Sequence, residues 1–163
     1  MLGRLRQVWY YLTPRLTDAD RAWVGTCLNP AQQALFDGMG LQDRAHAVRV
    51  ARRLAAQDAP GHVLEAALLH DCAKPEGYGL FWRSAGVLLA PALQGLPAEP
   101  ALPGWKRWLQ VYRWHDAYGM ALAELAGTSP EALALLRALQ DDAPHGEGAP
   151  AWLEPLERAD DGG

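Results

Sequence analysis

Cysteine is nearly missing from this chain, and the two that occur, Cys27 and Cys72, are too few for a disulfide framework. Stability must therefore come from a packed core. No basic, apolar and small-residue succession of a signal peptide stands at the start, so the expected setting is cytoplasmic, with reduced thiols. An excess of positive charge is missing as well. With a formal net charge of −4 and a pI near 5.7, the chain offers no electrostatic basis for broad binding to duplex nucleic acid. Long apolar runs are absent too. Leu80 to Leu96 comes nearest, but it falls short of the roughly 20 residues that span a bilayer, and Arg83 and Pro91 interrupt it. It reads as a core helix or hairpin, and no membrane partner is expected. The opening residues Met1 to Leu12 are basic and aromatic; they suit packing on their own domain or on a second subunit, a homodimer, better than a bilayer surface. Strand alternation, internal repeats and low-complexity tracts are also missing.

What remains is a helical pattern. The 163 residues are half hydrophobic and 21% charged, which fits one globular unit with a real core. The expected fold class is all-α, with residues 1–27 as an N-terminal helical extension and 28–163 as the main domain. Asn29, Pro30 and Gln32 read as N-cap, first turn and capping-box partner of a short helix that Gly38 can end. A long helix through His46 follows, and Asp58, Pro60 and Gly61 mark the turn into the next. Pro91 to Gly104 reads as a loop. Trp105, Trp108, Leu109 and Tyr112 recur at helical spacing, which suits a core stripe better than a base-stacking platform. Gly127 and Ser129-Pro130-Glu131 close one helix and open another running to about Gln140, and a flexible stretch from Asp142 to Pro150 precedes the last helix.

The chemistry concentrates in four side chains. His70 and Asp71 stand where the apolar run Val63 to Leu69 ends, and a carboxylate drawn into such an interior costs several kcal/mol unless a cation or donors compensate it. Stepping by four from His46 reaches Val50 and Leu54, so His46 is expected on the core face, with Arg49, Arg52 and Arg53 on the opposite side. Asp160 follows Leu156 by four and Leu153 by seven and is expected inward, whereas Asp161 follows Glu157 and points outward. Two imidazoles and two carboxylates aimed into one core make a mixed nitrogen and oxygen donor set for Mn, Fe, Co, Ni, Zn or Mg. His62 reads as a helix-start residue and His145 as a loop residue.

These residues carry a resemblance. His46, the adjacent His70 and Asp71, and the late Asp160 are similar to the H…HD…D signature of the HD-domain superfamily of metal-dependent phosphohydrolases. Supporting similarity runs from about Leu28 to Asp161 and includes Lys74 and the segment His115 to Ala121, which resembles the family's His-Pro-x-x-Gly-Ala stretch. The resemblance implies an HD-type helical bundle with a divalent ion held by His46, His70, Asp71 and Asp160. It implies hydrolysis of a phosphate ester of a nucleotide or nucleotide-like small molecule, with Asp71, Lys74 and His115 as catalytic residues. Lys74 would meet the substrate phosphate as a point charge, and His115 would contact phosphate or act as acid. Departures from the family pattern also matter. Asp116 replaces the proline, and Ala138 and Leu139 stand where two-metal members carry histidines, so a second ion is expected to bind weakly or not at all. Asp141 or Asp142 is the alternative fourth ligand. The same departures motivate a second reading, a sensor or interaction module that keeps the scaffold and has lost turnover.

Overall fold

A computed structural model describes residues 15–72, 110, 117–140 and 148–161. The described chain is all-α. In chain order its helices are α1 (Asp18–Cys27), α2 (Pro30–Asp37), α3 (Leu41–Ala55), α4 (Gly61–Leu69), α5 (117–125), α6 (Pro130–Gln140) and α7 (Leu153–Asp161). No described helix is long and apolar enough to cross a membrane. Residues 80–96, the aromatic stripe apart from Gln110, and the stretch 141–147 lie outside the described residues. Gln110 itself is helical and buried.

The starts of α1 and α2 have a local cause. Thr17 caps α1 by accepting from the Asp20 amide at 3.1 Å, while the Asp20 carboxylate accepts from the Thr17 amide at 3.1 Å, a reciprocal capping box. Asn29 and Gln32 repeat the device at α2, with Pro30 in the first turn and Gly38 as the C-cap. After α3, Asp58 takes φ 58°, the left-handed conformation that short polar side chains tolerate, and so turns the chain toward α4. Gly127, at φ 74°, ends α5: the Gly127 and Thr128 amides donate to the Glu124 and Ala123 carbonyls, the Schellman pattern.

The centre of the molecule is α4. Val63, Ala66, Ala67, Leu68 and Leu69 are all buried, and the helix touches α1, α2, α3 and α6. Leu54 of α3 and Leu153 and Leu156 of α7 are buried in the same core, and α3 and α7 are in contact. Each such leucine contributes about 1.5–3 kcal/mol by leaving water. Val24 and Leu28, from the α1 region, belong to the same core. One polar knot interrupts this packing. Glu65 on α4 accepts from the Gln32 side chain, the Ser129 hydroxyl and the Ser129 amide, the last at 3.1 Å. Gln32 also donates to the Thr128 hydroxyl at 3.1 Å. This ties α2 and α4 to the start of α6.

Candidate metal centre

His46 sits in the first half of α3, His70 just after α4, and Asp160 in the last turn of α7. Because α7 lies on α3, and α3 lies on α4, the three side chains meet. One ligand atom from each of His46, His70 and Asp160 lies within 4.8 Å of the other two. His46 Nε2 is 2.6 Å from Asp160 Oδ1, and His70 Nε2 is 3.4 Å from the same oxygen. The two rings meet edge to face with centroids 5.5 Å apart. Asp161 is exposed, as the stepping along α7 leads one to expect.

The tautomer of His70 follows from its other nitrogen. Nδ1 is 2.8 Å from the Ala67 carbonyl, and since a carbonyl can only accept, Nδ1 is the donor. Nε2 then presents its lone pair toward the cluster whenever the ring is neutral. A histidine oriented by a backbone carbonyl in this way is the usual state of a metal ligand. The Asp71 carboxylate faces the same nitrogen, with Oδ2 at 3.5 Å, so two carboxylates bracket one imidazole in a site where the His70 and Asp71 side chains are almost fully buried. Asp71, expected as a fourth ligand, borders the cluster through His70 but is not among the three residues whose ligand atoms converge.

The chemistry of the donor set fits a divalent ion. Ligand bonds of about 2.0–2.2 Å separate neighbouring donors by about 2.8–3.1 Å in octahedral and about 3.3–3.6 Å in tetrahedral geometry. The His70 to Asp160 distance already lies in the tetrahedral range. The His46 to Asp160 pair, at 2.6 Å, is a hydrogen bond and must open by a few tenths of an ångström. Burial alone would raise the Asp160 carboxyl, but hydrogen bonds from His46 and His70 and their charge outweigh it and hold the group well below the usual carboxylate range. Next to the site, burial and then the Asp71 charge push the Cys72 thiol up to about 11, so it is a neutral thiol near pH 7 and no nucleophile.

Lys74 and His115 lie outside the described residues, as do Asp141 and Asp142. Ala138 is buried and Leu139 packs against the core. One sequence expectation is corrected. Arg53 does not sit opposite His46: its NH1 donates to the Ala159 carbonyl at 2.9 Å, and Arg49 is half-buried as well. Seven residues are almost two full turns, so Arg53 returns to the His46 face, and Arg49, three residues on, flanks it. Only Arg52 stays exposed, stacked over Trp23 at 4.0 Å. The knot around Glu65 was missed altogether. Its signal was a lone carboxylate in an apolar helical run.

No protein-family model, no curated protein and no solved structure matches this chain.

Proposed function

We propose that this chain is a metal-dependent phosphohydrolase of the HD-domain type, acting on a phosphate ester of a nucleotide or nucleotide-like small molecule. The observation that carries the reading is the convergence of His46, His70 and Asp160 from three helical segments on one point. The spacing of these residues with Asp71, similar to the H…HD…D signature, supports it. A bound divalent ion, one of Mn, Fe, Co, Ni, Zn or Mg, would supply Lewis acidity and an acidified water at such a site. The chain's own part is orientation and charge. Ala67 fixes the His70 ring, and Asp71 and Asp160 concentrate negative charge where a cation is needed. In this reading Lys74 meets the substrate phosphate and His115 contacts phosphate or protonates the leaving oxygen. The natural partner is a small phosphorylated molecule in the cytoplasm, rather than a duplex or a membrane.

The test is direct. Purified protein, stripped with chelator and reloaded with Mn²⁺, should release phosphate or nucleoside from a panel of nucleotides, and His70→Ala should abolish the release while remaining helical by circular dichroism. A panel with no turnover, or a His70→Ala variant as active as the parent, would end this reading. One observation favours the sensor alternative. Ala138 and Leu139 are committed to packing, so α6 offers no imidazole at those positions. A nucleotide that raises the melting temperature yet survives long incubation with Mn²⁺ would decide for a binding module.

A further inference from the structure

Asp160 is half-buried and lies in the last described turn of α7, one residue before the described helix stops. Leu153, Leu156 and Ala159 anchor one face of α7 in the core. On the neighbouring face α7 and α3 do not close on each other: a cleft of about 350 Å³ opens there, lined by Arg53, Ala56, Gln57, Pro155, Arg158 and Ala159. Across this gap the Arg53 guanidinium reaches from α3 and donates to the carbonyl of Ala159, the residue before Asp160, at 2.9 Å. The bond gives that carbonyl a charged side-chain donor, and a positive charge is favoured toward the C-terminal end of a helix. Arg53 also stands seven residues after His46 on the same helix. One rigid element therefore carries both a donor of the cluster and the tie that fixes another.

We propose that Arg53 is a positioning residue: it pins the last turn of α7 so that the Asp160 carboxylate is held against His46 and His70, and the cluster's affinity for a divalent ion depends on that tie. The inference rests on the metal-centre reading above. It concerns placement and not charge, and the two are separable by sign. Removing a cation near the cluster would by itself favour a bound cation, whereas releasing Asp160 disfavours it.

The experiment compares wild-type protein with Arg53→Met, Arg53→Lys and Arg158→Met. Co²⁺ binding is followed by its visible absorption and by calorimetry, and backbone hydrogen exchange over residues 156–161 is followed in metal-free protein. Arg158 is exposed, lines the same cleft and pairs only loosely with Glu154 at 3.6 Å, so its loss controls for charge. Arg53→Met should raise the Co²⁺ dissociation constant by about tenfold or more, the scale on which outer partners of ligands act. It should also speed exchange in the last turn of α7. Arg53→Lys should recover part of both effects, and Arg158→Met should leave both unchanged. If Arg53→Met does not fold, the Lys variant carries the same comparison. Wild-type protein that binds Co²⁺ no more tightly than Arg53→Met, or than Arg53→Lys where Arg53→Met does not fold, would overturn the role of Arg53 and leave the metal centre standing. Wild-type protein that takes up no Co²⁺ would overturn the metal centre, and this inference with it.

Discussion

At the scale of single residues, this protein repeatedly uses one group to satisfy two needs. Asp20 closes the capping box of α1, accepting from the Thr17 amide and, at 2.7 Å, from the Thr17 hydroxyl, while its other oxygen faces Arg52 at 3.4 Å. Arg52 in turn lies over Trp23. The Thr17 hydrogen bond, opposed by partial burial and reinforced by Arg52, holds the Asp20 carboxyl below its ordinary value. A carboxyl lowered in the folded state binds protons more weakly than it does in the unfolded chain. Its contribution is therefore complete above the unfolded value of about 3.9 and is lost as the pH falls through the lower folded value. Asp20→Asn should show a smaller loss of stability between about pH 5 and pH 2 than wild type, read from urea midpoints across that range. At pH 7 the same variant should be less stable by about 0.3–1 kcal/mol, the usual worth of a negative charge in the first turn of a helix. Equal acid dependence in the two proteins would show that Asp20 is not held in this way.

At the scale of elements, the helices were legible where a start or stop signal is written into adjacent residues. Asn29-Pro30 with Gln32, Gly38, and Gly127 before Ser129-Pro130 each announce themselves locally, and the structure places caps or turns at each. What adjacent residues cannot write is which helix a polar side chain will meet. Glu65 is 33 residues from Gln32 and 64 from Ser129, so its role depended on how α2, α4 and α6 pack. Arg53 was misplaced for a simpler reason, an error of helical phase, and its partner lies 106 residues away. Glu65 also sits at the N-terminal end of α6, where a negative charge is favoured and where the Ser129 hydroxyl accepts from the Ala132 amide at 3.3 Å. Glu65→Ala removes the acceptor of one Gln32 bond and of both Ser129 donors, while Gln32 keeps its bond to Thr128. The substitution should cost about 2–4 kcal/mol, more than a single neutral hydrogen bond, because bonds to a charged group are the stronger ones. Glu65→Gln, which keeps the shape and part of the bonding, should cost clearly less. Equilibrium urea unfolding of the three proteins decides; an Ala variant within 0.5 kcal/mol of wild type, about the level of an inert surface change, would show that the knot adds nothing.

At the scale of the whole molecule, the cluster is a product of packing and not of any one segment. The all-α class could be read from period and from the lack of strand alternation, and stepping along α3 and α7 aimed His46 and Asp160 inward. That they meet depends on α7 lying along α3 while α3 lies along α4, which is settled by buried leucines on each helix. Stability and the geometry of the cluster should therefore be coupled on α7 but separable elsewhere. Leu156, on α7, is fully buried one turn before Asp160, whereas Leu135 is buried on α6, which contributes no donor to the cluster. Truncating either leucine to alanine should destabilise metal-free protein by about 2–5 kcal/mol, the usual range for a buried leucine. Their response to an ion should differ. An ion that binds only the folded state adds about 2.7 kcal/mol at a hundred times its dissociation constant. Leu135→Ala should recover that full increment when Mn²⁺ or Co²⁺ is added. Leu156→Ala should recover less, because the loosened helix no longer presents Asp160 at the same distance from His46 and His70. Thermal melts with and without the ion measure both terms. Equal increments in the two variants would mean that Asp160 is placed independently of how α7 packs, and the coupling argued from the helix arrangement would be wrong.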